Sequence, residues 1–301
     1  MTQSTYPYPL PASMCEIVPP SPQLVRAALL SLAAAALFPA LASAQVRPAA
    51  VPGGVVALTV APAGAPRPVV RFGGKPVLPQ QGPAGWQALV GLPLDTPLGE
   101  QAVEIGPEGR RLPFQVGPKA YPEQRLTLKN PKMVSPDPED LDRIAAERER
   151  QIQVRSQFRD VPVARTDLDL PSSGRLSSRF GLRRVFNGEP RAPHTGLDVA
   201  APAGAPIRAP ADGVVSLVDD LYFNGKTVFV DHGQGFVSMV CHLSQARVEV
   251  GQKVRRGELV GLVGNTGRAT GPHLHWSVYL NGAAVDPALF IGPTPAPKPA
   301  R

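Results

Sequence analysis

Residues 271–280 read Gly271-Pro272-His273-Leu274-His275-Trp276-Ser277-Val278-Tyr279-Leu280. The apolar and aromatic run predicts a strand over Leu274–Leu280, closed by the hairpin-turn pair Asn281-Gly282. Side chains alternate along a strand, so His273 and His275 share a face about two rises apart. That spacing is too wide for both to hold one small ion without distortion. One imidazole can bind a metal while the other reaches a substrate. Trp276 points the opposite way, into a core.

Similar segments surround this one. Val214–Val218, Thr227–Val230, Phe236–Cys241 and Glu258–Val263 predict strands, separated by turns at Asn224-Gly225, His232–Gly235 and Asn265–Gly267. Together they define a β-rich domain over residues 166–291. Upstream, residues 45–135 hold short β-prone runs at Val55–Val60, Val69–Phe72, Trp86–Leu92, Gln101–Ile105, Leu112–Val116 and Arg125–Leu128. They predict a small β-sandwich-like domain, so the fold class is mainly β.

Residues 136–165 form a connecting segment with a helix over 137–155. Asp137 suits the N-cap, Pro138 the first turn, and Glu139 and Asp140 the positive end of the helix dipole. Leu141, Ile144, Ala145 and Ile152 predict its apolar stripe, and the charged run Glu147–Arg150 a solvated face. The Pro/Ala/Lys tail over 292–301 is too poor in apolar bulk to fold.

The N-terminus predicts export. Arg26 precedes an apolar stretch from Ala27 to Leu41, and Ala42-Ser43-Ala44 supplies a small-residue cleavage site before Gln45. Residues 1–44 thus read as a signal peptide, which implies a periplasmic or cell-envelope location, with membrane contact only through that segment. Cys15 would leave with it, so Cys241 has no intramolecular disulfide partner. The 37 prolines and 29 glycines favour turns and short strands over long helices. A net charge of +7 suits anionic polymers (nucleic acid, anionic lipid or a carboxylate-rich wall) without choosing among them.

The chemistry is concentrated. All five histidines fall between positions 194 and 275. Pro193 and Gly196 argue against a helix around His194, and in an extended segment His194 and Asp198 look into one cleft. His242 lies in Cys241-His242-Leu243-Ser244. Imidazole and carboxylate are zinc ligands, and three of them plus water make a catalytic rather than a structural site. The histidines left over suit proton transfer and stabilisation of a tetrahedral intermediate. Alternation puts Cys241 opposite His242, which excludes a cysteine–histidine dyad and leaves a buried, inert thiol. His232, Asp231 and Asp212 read as turn residues. Gly261–Gly267 lacks the lysine and spacing of a phosphate loop.

From Leu176 to Phe290 the chain resembles the catalytic domain of the lysostaphin/LytM-type zinc endopeptidases of peptidoglycan. The residues that carry the resemblance are Ser178–Arg183, His194–Asp198 running on to Gly204, Ala211–Val215, Asp231–Gly235, His242–Ser244, Gly261–Gly267 and Thr270–Trp276. The resemblance implies a compact antiparallel sheet of the duplicated-hybrid-motif type with an open groove. It implies one Zn2+ on His194, Asp198 and His275, with His242 and His273 as the catalytic pair and His242 as base. The implied substrate is the peptide stems of peptidoglycan, with D-alanyl–diaminopimelate cross-links as in proteobacterial members. A regulatory adaptor protein is an expected partner, and nucleic acid is not. Many members carry tyrosine where this chain has Val240, on the face that alternation shares with His242. A hydroxyl near the groove is then missing.

Two other readings compete. A non-catalytic activator of other wall hydrolases on the same fold would lack some motif residues, whereas all five are present here. A biotinyl- or lipoyl-type carrier is suggested by Val248–Val254 and Gly257–Gly261, yet no lysine sits at a hairpin modification site. The N-terminal β domain offers no chemistry of its own and is expected to cover the groove.

Overall fold

Short alternating runs separated by glycine and proline give short antiparallel strands. The computed structural model describes residues 46–292, apart from 83, 128–131, 133 and 164. The predicted signal peptide and the tail beyond Gly292 lie outside the described residues.

The N-terminal part contains β1 (Val55–Ala61), β2 (Val70–Phe72), β3 (Lys75–Pro76), β4 (Leu78–Gly82), β5 (Gly85–Gly91), β6 (Gly99–Ile105) and β7 (Arg110–Val116). One sheet runs β1-β5-β4 and the other β3-β2-β6-β7. Val56, Ala88 and Val90 from the first meet Val103, Ile105 and Phe114 from the second in one core, as a sandwich requires. Next come β8 (Glu123–Leu126) and the helix α1 (Pro138–Ser156).

The C-terminal part contains β9 (Arg175–Ser178), β10 (Arg183–Phe186), β11 (Glu189–Pro190), β12 (Leu197–Ala200), β13 (Pro206–Arg208), β14 (Gly213–Leu221) and β15 (Gly225–Gly233). It continues with β16 (Phe236–Ala246), β17 (Lys253–Val254), β18 (Leu259–Val263), β19 (Leu274–Leu280) and β20 (Ala283–Val285). The main sheet is ordered β17-β14-β15-β16-β19-β12-β9, with β13 and β18 branching from β16 and β20 from β19. Every pairing in it is antiparallel. A small third sheet, β11-β10-β8, joins the segment after the sandwich to the peptidase-like half, β8 running parallel to β10.

One face of the main sheet buries Leu274, Trp276, Val278 and Val240 in the largest core cluster. The other face carries Val237, Met239, Cys241, Phe229 and Tyr279, against which α1 packs Val154. The helix therefore sits differently from its expected stripe: Leu141 is 52% exposed, whereas Glu147 is 4% exposed. The reason is the polar end of the β14–β15 hairpin. The Tyr222 N–H donates to Glu147 Oε2 at 2.8 Å, and Arg143 bonds Glu147 Oε1 at 2.6 Å and the Asp220 carbonyl at 2.9 Å. A carboxylate satisfies those donors and a leucine would not. Asp137 occupies the N-cap position without a side-chain cap bond, its carboxylate pairing instead with Lys132.

Candidate active site

Register builds the centre of the site. Asp198 on β12 lies opposite His275 on β19 and Ser178 on β9, and His275 lies opposite Cys241 on β16. Directly opposed residues share a face, so one row of side chains crosses four strands. His194 precedes β12 in irregular chain, anchored by backbone bonds to Gly181 and Leu182. It is not on a strand, and the approach to Asp198 is made by a turn through Gly196. A Cβ at Gly196 would stand 2.8 Å from the His275 ring and 2.4 Å from the Trp276 carbonyl, so only glycine passes there.

The donor atoms converge. His194 Nε2 is 3.0 Å from Asp198 Oδ1 and 2.9 Å from His275 Nδ1, and His275 Nδ1 is 2.8 Å from the same carboxylate oxygen. His194 Nδ1 faces the Arg179 carbonyl at 2.7 Å. A carbonyl only accepts, so Nδ1 carries the hydrogen and Nε2 presents a lone pair. Two acceptors thus face each other across the triangle and need something positive between them. One proton on His275 Nδ1 can serve both, and a divalent cation replacing that proton would use all three donor atoms. Burial pushes the His275 imidazole down to about 4 against the pull of Asp198. Burial also opposes the charge on Asp198, but its two histidine neighbours prevail and hold its carboxyl far below the ordinary range.

His242 and His273 stand beside the triangle, their ring centroids 4.8 Å apart. His242 Nδ1 donates to the Thr266 carbonyl at 2.8 Å, and His273 Nδ1 to the Gly271 carbonyl at 2.8 Å. In both rings Nε2 is left for chemistry. Burial, followed by the neighbouring imidazoles, pushes His242 down to about 3, so it is a neutral base near pH 7. A cavity of about 300 Å³ opens over Asp198, His242, His273 and His275.

Two expectations from simple alternation fail at His242. Its backbone is left-handed, φ 62°, where β15 and β16 slip register. The kink turns His242 toward the side of Cys241, and both line a second cavity of about 190 Å³ with His194 and His275. Val240 lies in the core on the other side, so its missing hydroxyl is not a groove group. Cys241 is buried, and burial pushes its thiol up, consistent with an inert sulfur. His232 is also buried, donating from Nδ1 to the Asp212 carbonyl and accepting at Nε2 from Ser238, each at 2.7 Å.

Several residues of the site were not singled out from sequence. Ser277 Oγ meets His275 Nε2 at 2.9 Å, and Arg184 Nη2 approaches Asp198 Oδ2 at 3.4 Å. Gln124 on β8 and Arg268 line the larger cavity. Ser277 sits two beyond His275 on the same strand face, a signal that register alone reveals, and Gln124 carries no sequence signal.

Residues 192–287 match the model of peptidase family M23, and residues 48–119 that of the M23 N-terminal domain. A Pseudomonas aeruginosa protein assigned to peptidase M23 has a crystal structure with 46% sequence identity and a TM-score of 0.69, covering 82% of this chain and 96% of that one. Over 116 residues the chain is 43% identical to the peptidoglycan DD-endopeptidase ShyA of Vibrio cholerae, covering 38% of this chain and 27% of the relative. Over 121 residues it is 43% identical to the DD-carboxypeptidase/endopeptidase Mpg of Neisseria meningitidis, covering 40% of this chain and 28% of the relative. The matched stretches span about a quarter of the length of these curated relatives, 27% and 28%.

Proposed function

The chain belongs to peptidase family M23, and from that premise we propose that it is an exported zinc-dependent endopeptidase that hydrolyses the peptide cross-links of peptidoglycan. The observation that carries the reading is the acceptor-rich triangle of His194, Asp198 and His275, whose donor atoms lie within 4.8 Å of one another. The donor set, two imidazoles and one carboxylate, fits zinc with a position left for water. Bound there, zinc supplies a Lewis acid for the scissile carbonyl and lowers the pKa of water.

The rest of the chemistry falls to the chain. His194 and His275 are oriented by the Arg179 carbonyl and Ser277. His242 Nε2 takes the proton of the attacking water, the Thr266 carbonyl stabilises the imidazolium that results, and that proton passes to the leaving amine as the C–N bond breaks. His273, its Nδ1–H held by the Gly271 carbonyl, turns the remaining nitrogen to the tetrahedral adduct and stabilises its oxygen once a proton has passed to that nitrogen. The names of ShyA and Mpg support peptidoglycan as the substrate. Export rests on the apolar stretch and cleavage site of residues 27–44. Among the described residues no helix is long and apolar enough to cross a membrane.

The test is digestion of diaminopimelate-type peptidoglycan, with muropeptides read by mass spectrometry. The expected outcome is conversion of cross-linked dimers to monomers, abolished by a chelator and by His275→Ala, with zinc lost from the variant. Hydrolysis retained by His275→Ala would sink the reading.

A further inference from the structure

The two carboxylate oxygens of Asp198 have different neighbours. Oδ1 lies 3.0 Å from His194 Nε2 and 2.8 Å from His275 Nδ1, and these three atoms make the triangle. Oδ2 meets Arg184 Nη2 at 3.4 Å. The carboxylate is 10% exposed and the arginine side chain 20%, so water and salt screen the pair little. Asp198 is the one carboxylate that pairs with Arg184 among the described residues. A buried ion pair adds little net stability over an apolar pair of the same size, so stability alone does not account for this one.

The chain around Arg184 fixes where its guanidinium stands. The residue sits on β10, which runs parallel to β8. Both ends of β10 are tied to that strand or its start: the Arg183 N–H donates to the Pro122 carbonyl at 2.9 Å, and the Asn187 N–H to the Leu126 carbonyl at 3.0 Å. The guanidinium lies 5.7 Å from the centroid of the Phe186 ring, two residues along the same strand. Arg184 also precedes residues 192–287, so the family match assigns it no role.

A carboxylate can give an ion one oxygen or both. If Asp198 gave both, it and the two histidines would fill four positions, the pattern of a closed structural centre. With one oxygen, three donors leave a position for water. We propose that Arg184 is a positioning residue that holds Oδ2 of Asp198, confines this ligand to Oδ1 and so keeps the water position open. The proposal rests on the zinc reading of the triangle and names what keeps that centre catalytic rather than structural. The Arg179 carbonyl and Ser277 orient the imidazoles, and Arg184 does the same for the carboxylate. Its positive charge also competes for the carboxylate's electrons, which leaves the ion a stronger Lewis acid.

The test is X-ray absorption at the zinc edge of the full, zinc-loaded protein, with Arg184→Gln and Arg184→Lys beside it. The carboxyl carbon comes close to the ion only when both oxygens bind, so the spectrum separates the two modes without any turnover. The expected result is one-oxygen binding in the unaltered protein and two-oxygen binding in Arg184→Gln, with zinc retained in a chelator titration. Peptidoglycan hydrolysis by Arg184→Gln should fall about tenfold or more in kcat with KM unchanged. Arg184→Lys, which keeps the charge, should restore one-oxygen binding and part of the rate. An identical zinc environment in Arg184→Gln and the unaltered protein overturns the proposal, and so does two-oxygen binding in the unaltered protein. Loss of zinc from a folded Arg184→Gln also overturns it and makes the pair an affinity device. A raised KM with kcat kept would make Arg184 a substrate contact instead. Should Arg184→Gln fail to fold by circular dichroism, Arg184→Met, which keeps a long stem, is read by the same criteria. If the unaltered protein binds no zinc, the metal reading itself has failed and this role falls with it; zinc bound without a change of mode sinks the role of Arg184 alone.

Discussion

At the scale of single residues, the grouping of His194, Asp198 and His275, with His242 and His273 beside them, was legible because histidine is rare in this chain and carries distinctive chemistry. The residues that orient them were not, because serine, arginine and glutamine are common and gain meaning only from register. Ser277 is an instance. It is fully buried, and its hydroxyl meets His275 Nε2 at 2.9 Å, which leaves Nδ1 to face Asp198. Partners that fix a ligating imidazole are worth about 10–100-fold in metal affinity. Ser277→Ala should therefore weaken zinc retention by at least tenfold in a competitive chelator titration, with the circular dichroism spectrum unchanged. An unaltered affinity would mean that packing alone holds the ring. The backbone of His242 was equally illegible: a left-handed non-glycine residue costs about 1–3 kcal/mol and is kept only where its surroundings over-determine it. The bond from the His242 N–H to the Asn224 carbonyl and the bond from its Nδ1 to the Thr266 carbonyl do so here.

At the scale of elements, strands with strong alternation were legible in place, though the longest run past their apolar stretches: Phe236–Cys241 continues to Ala246 and Val214–Val218 to Leu221. Leu274–Leu280 matched its expected bounds, and the Asn281-Gly282 hairpin turn begins with Asn281 at φ 42°. Short strands with little apolar content, β9 to β11 among them, gave no periodic signal, since cross-strand pairing alone makes them strands. The existence of α1 was legible, but its facing was not, because only Val154 near its C-terminal end meets the apolar sheet face, while Arg143 and Glu147 meet a hairpin tip with exposed backbone groups. This has a measurable consequence. Glu147→Leu leaves the Tyr222 N–H and Arg143 without their acceptor and should cost about 1–3 kcal/mol in urea unfolding. Leu141→Ala, on the exposed side, should change stability by no more than about 0.5 kcal/mol. The reverse ranking would restore the apolar-stripe orientation of the helix.

At the scale of the whole molecule, composition divides the chain near residues 135 and 166, yet side chains from both parts meet in one core. Val55, Leu78 and Leu89 belong to the same buried cluster as Trp276, Leu280 and Phe290. Asn281, at the turn after β19, accepts from the Gly91 N–H at 2.7 Å and donates to the Gly91 carbonyl at 3.0 Å. Contacts of this kind link distant parts of the sequence and are invisible to local pattern reading. A shared core unfolds as one unit. The chain contains only two tryptophans, Trp86 in the sandwich and Trp276 in the main sheet, so Trp86→Phe and Trp276→Phe each leave a fluorophore reporting one half. Their urea midpoints should coincide once the small offset of each substitution is referenced to circular dichroism. The joint itself can be strained at Gly91, where a Cβ would stand 2.8 Å from Leu280 Cβ and 2.9 Å from the Leu280 carbonyl oxygen. Gly91→Ala should then cost about 1–3 kcal/mol. The loss should appear equally at both tryptophans, because neither half can relax without moving the other. A shift seen by Trp86 alone would show that the sandwich unfolds independently and that the common core contributes little to the peptidase half.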